Sequence, residues 1–260
     1  MKISFYFFIF CSYFTSYSQE FFDNDKIESG KQIEELNTII LQNPSAENYY
    51  YRGYNNYISE NYPEALADYN KALSITPNDF NIYFSRGNLS IKLKDYESAI
   101  ADFSKCISLD KNSQKAYFNR AFAERKIFNR TGAIDDYSKS IALKPDNNIS
   151  AYQNRGLLKK ELNLHKEAIA DFDKVIAIDP KSVDAFQNRA ISKAMLNSKD
   201  ALLDFNEAVK LAPENSEVYF NRALYFINFK IKGDYCSDLK KAFNFGYLPA
   251  QELLIELCKI

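Results

Sequence analysis

The chain has little glycine, almost no histidine and nearly balanced charges. Its 260 residues include seven glycines, one histidine, two methionines and no tryptophan. So little glycine argues against an all-β chain rich in loops. The single His165 cannot complete a metal cluster in a chain without a Cys-x-x-Cys pair. The formal charge of −1 leaves no basic surface of the kind that nucleic acid or an anionic membrane attracts.

Sequence motifs of common catalytic sites are also missing. The chain has no glycine-rich phosphate loop and no Gly-x-Ser-x-Gly nucleophile turn. His165 falls in a segment where we expect a turn, and therefore an exposed side chain. Acidic residues are spread along the chain at regular spacing, which is typical of solvation and charge pairing. We therefore expect no catalytic residue, no cofactor, no metal and no nucleic-acid partner.

The first eighteen residues differ from the rest. One lysine precedes an apolar run from Ile3 to Phe14, and small polar residues follow it. This order is that of a secretory signal peptide, and Ser16 and Ser18 predict cleavage after Ser18. The run is too short for a good membrane span. We expect a flexible stretch over 19–27 and an exported chain, periplasmic or secreted, that is not inserted in a membrane; an uncleaved anchor or a lipoprotein at Cys11 are the alternatives.

Arginine and aspartate recur with a fixed spacing through most of the chain. Six arginines are separated by 34, 34, 35, 34 and 33 residues, and an aspartate follows each by 16 residues, or by 15 in one case. A period of about 34 residues that carries two helical patterns indicates tandem helix hairpins.

Other positions of this repeating unit are also restricted. Counting from Ala46, position 4 is aromatic, position 8 is Gly or Ala, position 20 is Ala in five units and position 32 is Pro in four. This pattern over 46–247 resembles the tetratricopeptide repeat (TPR) family. Small residues at positions 8 and 20 let two antiparallel helices approach closely, and aromatic rings fill the space around them.

The resemblance implies an all-α fold: a right-handed TPR α-solenoid of six helical hairpins with an N-terminal extra helix and a C-terminal capping helix. One hairpin cannot bury its apolar faces alone, so stacked neighbours share the core. The expected segments are a leading helix over 28–45, repeats over 46–79, 80–113, 114–148, 149–182 and 183–215, a degenerate sixth repeat over 216–247 and a capping helix over 248–260.

Unit position 7, a large aliphatic residue in most family members, is always Arg in this chain. Its neighbours face the partner helix, so the guanidinium should be partly buried and should need a paired anion. A basic track for an anionic ligand is the alternative. We predict structural ion pairs between Arg52 and Asp68, Arg86 and Asp102, Arg120 and Asp136, Arg155 and Asp171, Arg189 and Asp204, and Arg222 and Asp238.

The resemblance also places the first helix of each hairpin along a concave groove. Carboxamides at position 6 are expected to contact the main chain of a bound segment there; a solvated position or a hydrogen bond between helices is the alternative. Aromatic residues at position 5 either form pockets for a partner's side chains or pack against neighbouring first helices. The groove candidates are Asn119, Asn154, Asn188 and Asn221 at position 6, and Tyr50, Phe84, Phe118 and Phe220 at position 5.

Three cysteines remain after the predicted cleavage. If the last two helices pack antiparallel, the start of one lies near the end of the other, which brings Cys236 close to Cys258. In an oxidising compartment a disulfide there would hold the capping helix in place; two free buried thiols are the alternative. Cys106 lies in an apolar helical stretch, where we expect a small core residue.

These features together predict a non-catalytic exported scaffold. We expect it to bind a protein or peptide partner in its concave groove, as an adaptor or assembly factor of a cell-envelope complex. Two other functions are compatible with the sequence: a structural spacer without a groove ligand, and a carbohydrate- or peptidoglycan-associated accessory protein, since aromatic rings can stack on sugars.

Overall fold

The computed structural model describes residues 28–259, which form fourteen α-helices and no strand. The predicted signal peptide and the stretch over 19–27 lie outside the described residues. The helices are α1 (28–42), α2 (Ala46–Ile58), α3 (Tyr62–Ile75), α4 (Phe80–Lys92), α5 (Tyr96–Leu109), α6 (Gln114–Lys126), α7 (Arg130–Leu143), α8 (Ile149–Glu161), α9 (His165–Ile178), α10 (Val183–Met195), α11 (Ala201–Leu211), α12 (Ser216–Asn228), α13 (Tyr235–Asn244) and α14 (Ala250–Cys258).

Most first helices of the hairpins follow a capping side chain, and a left-handed residue lies two positions after their last residue. The side chains of Ser45 and Asp79 accept hydrogen bonds from backbone N–H groups in the first turns of α2 and α4. Such caps satisfy donors that the helix itself leaves unpaired. The turn that follows each first helix then contains one residue with positive φ, at Glu60, Lys94, Phe128, Asn163, Asn197 and Lys230.

The first compact unit ends at Phe128, and its described part contains α1 to α6. Helices α2 and α3 pair as one hairpin and α4 and α5 as the next, while α2, α4 and α6 contact one another in a row. Gly87 of α4 sits where an added Cβ would lie 2.9 Å from the ring of the fully buried Phe103. The missing side chain therefore lets α4 and α5 pack closely.

The second unit, from Asn129, contains α7 to α14. Its hairpins pair α8 with α9, α10 with α11 and α12 with α13, and α14 packs on α13. Ala250 and Leu254 of α14 are buried in a cluster with Tyr219 and Leu239, so α14 covers the apolar face of the last hairpin. A disulfide joins Cys236 to Cys258, with the two Cα atoms 5.8 Å apart.

Of the predictions for Cys106 and His165, the first is confirmed and the second is wrong. Cys106 is a free thiol in the core, as expected, and burial beside the Asp102 carboxylate raises its pKa to about 12. The expectation of an exposed His165 is wrong, because this residue begins α9 and is only 9% exposed. His165 occupies the same position of its sequence repeat as Tyr62 and Tyr96, which pack against the core of the first compact unit.

Candidate functional site

Arginine at unit position 7 forms a bidentate ion pair inside its own hairpin. In the second hairpin, Nε and Nη2 of Arg86 donate to the two carboxylate oxygens of Asp102 at 2.9 and 2.6 Å. Asp102 is 4% exposed, so the carboxylate depends on this guanidinium for charge compensation. The hydrogen bond with Asp102 raises the pKa of Arg86 above its ordinary value.

The same geometry occurs in four further hairpins. Arg120 and Asp136 belong to different compact units, and their pairing stays a prediction. The pairs that the structure brings together, besides Arg86 with Asp102, are Arg52 with Asp68, Arg155 with Asp171, Arg189 with Asp204, and Arg222 with Asp238.

A second contact of these arginines is one that the sequence analysis missed. Nη1 of Arg86 donates to Oδ1 of Asn70 at 2.6 Å, and Asn70 belongs to the second helix of the preceding hairpin. The arginine therefore connects two hairpins as well as two helices. The sequence signal for this contact is a polar residue at unit position 25, or at the matching place of α1 in the case of Asn37. The six acceptors of Nη1 are Asn37, Asn70, Ser104, Ser138, Asp173 and Asn206.

The predicted groove asparagines have different surroundings in the two units. In the first unit, Nδ2 of Asn119 donates to Oδ1 of Asn88 at 2.8 Å and so links α6 to α4. In the second unit, Oδ1 of Asn188 accepts from Nζ of Lys160 at 2.5 Å. Burial lowers the pKa of Lys160. Asn154 on α8 and Asn221 on α12 are half-buried.

Three of the four predicted groove aromatics pack against another aromatic ring of their own compact unit. The ring centroid of Tyr50 lies 6.1 Å from that of Tyr69, and Phe84 makes an edge contact with Phe103 at 5.7 Å. In the second unit, the centroid of Phe220 lies 4.5 Å from that of Tyr247. Phe118 differs, because its side chain lines a cavity.

This cavity has a volume of about 320 Å³ and lies on the row of first helices in the first unit. Its lining comes from positions 5, 6, 9, 12 and 13 of successive units, together with one ring of α3. The sequence analysis found two of the lining residues, Phe118 and Asn119, as site candidates. The full lining is Tyr54 and Tyr57 of α2, Tyr69 of α3, Ser85, Asn88, Ile91 and Lys92 of α4, and Phe118, Asn119 and Phe122 of α6.

Burial favours the neutral form of two tyrosine hydroxyls at the cavity. Burial raises the pKa of Tyr69 well above its ordinary value, and it raises the pKa of Tyr57 in the same direction. The hydroxyls of Tyr50 and Ser85 lie 3.4 Å apart. The cavity therefore combines aromatic walls with the hydroxyl and carboxamide groups and the Lys92 side chain of its lining, which suits a ligand with an apolar body and polar edges.

Within residues 28–259, no group of three or more His, Cys, Asp or Glu side chains is placed to hold a metal ion. No helix in this range combines the length and the apolarity that crossing a bilayer requires.

Comparisons with known proteins agree with this architecture. Residues 53–94 match the family described as TPR repeat, and residues 80–113 and 149–182 match the tetratricopeptide repeat. No curated protein matches the sequence. Helix hairpins in series, with a row of contacting first helices in each unit, define a helical-repeat protein. With these matches over 53–113 and 149–182, the chain is a protein with tetratricopeptide repeats.

Solved structures share the fold at low sequence identity. The crystal structure of MamA protein is 24% identical over 66% of this chain and 94% of that chain, with a TM-score of 0.62. YrrB, described as a TPR protein with an unusual peptide-binding site, is 19% identical over 74% of this chain and 98% of its own, also at 0.62. The C-terminal part of a TPR repeat-containing protein from Cytophaga hutchinsonii is 17% identical over 89% and 95%, with a TM-score of 0.72.

Proposed function

We propose that this chain is a non-catalytic scaffold that binds a protein or peptide partner on the face of its first helices, as an adaptor or assembly factor of a cell-envelope complex. The observation that carries the proposal is the aromatic cavity on α2, α4 and α6. A helical repeat buries most of its apolar side chains between neighbouring hairpins. A cavity with aromatic walls on the row of first helices instead offers apolar surface to a ligand.

The arginines and the asparagines differ in what they offer a ligand. Five arginines are bound to buried aspartates, which supports a structural role and argues against a basic track. Asn119 and Asn188 lie on the first helices and are only half-buried, and both hydrogen-bond within the chain: Asn119 to Asn88, and Asn188 to Lys160 and the Asp184 carbonyl. Carboxamides there can donate to and accept from a peptide main chain without reading its sequence.

A random peptide library displayed on phage and selected on the full chain tests the proposal. We expect enriched peptides that bind by fluorescence anisotropy and lose about tenfold in affinity in the double variant Phe118→Ala, Asn119→Ala. The matched control changes Lys71→Ala and Lys105→Ala on the second helices, which should leave binding unchanged. No enrichment would favour the spacer function, and equal loss in both variants would show that the peptides do not bind at the cavity.

Export belongs to the same proposal and depends on the N-terminal apolar run. Cleavage after Ser18 leaves Gln19 as the first residue of the mature chain. N-terminal sequencing of the chain recovered from the envelope or the medium should therefore start at Gln19. Recovery of the intact N-terminus from the cytoplasm would contradict the assignment to the envelope.

A further inference from the structure

The cavity of the first unit has basic residues beside its aromatic walls. Lys92 lines it, and Nζ of Lys126 lies 5.4 Å from the centroid of the Phe122 ring, which forms part of the wall. None of the described residues that line the cavity is acidic. An apolar surface with cations on its rim attracts negative charge.

The size and the polar groups of the cavity restrict what can enter. A volume of about 320 Å³ lies at the low end of the range for small-molecule pockets, so it suits one large side chain. Tyr54 is 48% exposed at this face and presents its ring to an incoming group. The Asn88–Asn119 pair still offers one amide donor and one carbonyl acceptor, which a passing main chain can use.

We propose that this cavity binds one large apolar side chain of a partner polypeptide whose flanking residues are acidic. The apolar side chain enters between the rings of α2 and α6. Carboxylates beside it pair with Lys92 and Lys126, and the main chain bonds to the asparagine pair. This inference rests on the proposed function and specifies the chemistry of the partner. The carboxylates belong to side chains, so the segment does not have to end at the cavity.

Three synthetic nonapeptides with an N-terminal fluorophore and an amidated C-terminus test this chemistry against the full chain. The first has a central Phe flanked by four Asp or Glu residues on each side, the second replaces Phe with Ala, and the third replaces the acidic residues with Lys. We expect the first to bind at least about tenfold more tightly than either of the others. Its affinity should fall as salt rises from about 50 to about 300 mM, because exposed charges are screened.

Variants of the chain locate the binding. The double variant Lys92→Glu, Lys126→Glu should weaken the acidic Phe peptide by about tenfold or more, while Lys71→Glu, Lys105→Glu on the second helices should not. Tyr54→Ala should also weaken it, and Tyr54→Phe should restore it, since the aromatic ring is what the ligand contacts. Thermal unfolding followed by circular dichroism verifies that each variant is folded.

Equal binding of the acidic and basic peptides, or unchanged binding in the Lys92→Glu, Lys126→Glu variant, would overturn this inference. The proposed function has a separate test in the selected library. If library peptides bind and respond to variants of α8, α10 or α12 only, the scaffold function stands and the inference about this cavity fails. If no library peptide binds and the acidic Phe peptide does not bind either, both fail.

Discussion

Single residues set the distance between the two helices of a hairpin. Gly87 faces the ring of Phe103, whereas in the fifth hairpin Ala190 shares a cluster with Phe205. The same unit position therefore accepts a methyl group in one hairpin and leaves no room for it in another. Both facing rings, Phe103 and Phe205, are almost fully buried.

This crowding predicts the effect of Gly87→Ala. The new Cβ meets the ring of Phe103 at 2.9 Å, and the cost of overpacking should exceed the gain in helix propensity. We expect a net loss of about 1–2 kcal/mol in the free energy of unfolding, measured by urea denaturation. The matched control is Gly30→Ala in α1, where an added Cβ meets nothing within 4 Å. It should be neutral or slightly stabilising; an equally stable Gly87→Ala variant would contradict the argument.

The buried ion pair predicts a larger effect. Arg86→Ala leaves the Asp102 carboxylate buried without its guanidinium, and we expect a loss of about 2–3 kcal/mol because Arg86 itself keeps 25% exposure. Arg86→Lys retains the charge but not the bidentate contact, so its loss in the free energy of unfolding should be smaller than that of Arg86→Ala. The control is Arg130→Ala, whose partner Glu161 is 44% exposed and which should cost about 0.5 kcal/mol. Similar losses for Arg86→Ala and Arg130→Ala would show that burial does not matter here.

How much the sequence predicts depends on whether a residue repeats. The family and the all-α hairpin fold could be predicted because Arg, the small residue and the aromatic ring recur with one period. Both predictions are confirmed. The cavity lining does not recur: position 9 is Tyr54, Asn88 and Phe122 in three successive units. Its shape exists only once α2, α4 and α6 lie side by side, so no single unit reveals it. The acceptors of Nη1 are hidden for a similar reason, because Asn, Ser and Asp share that position.

At the scale of elements, α14 is short and has few ways to stay in place. It has nine residues, and its buried contacts come mainly from Ala250 and Leu254. An isolated helix of this length is not stable in water. The disulfide between Cys236 and Cys258 closes a loop with a sequence separation of 22, which corresponds to about 3 kcal/mol of chain entropy removed from the unfolded state.

Removal of this disulfide should therefore loosen the end of the chain first. In the double variant Cys236→Ser, Cys258→Ser we expect faster amide hydrogen exchange in 250–258 and a loss of about 3 kcal/mol in the free energy of unfolding. Reduction of the unmodified chain should reproduce the faster exchange. The single variant Cys106→Ala, which keeps the disulfide, serves as the control for changing a buried thiol. Unchanged exchange over 250–258 after reduction would mean that packing alone holds α14.

At the scale of the whole molecule, stability should be shared between neighbouring hairpins and fade with distance along the chain. Within each compact unit the hairpins pack on their neighbours, and among the described residues the arginine contacts connect a hairpin to the helix that precedes it. We expect Gly87→Ala to raise hydrogen exchange mainly in α2 to α6, and loss of the disulfide to raise it mainly in α12 to α14. Exchange of the intact chain, followed peptide by peptide with mass spectrometry, separates the two patterns. An equal rise over all described helices in both variants would mean that the chain unfolds as one cooperative body, and the nearest-neighbour account of this repeat would then be wrong.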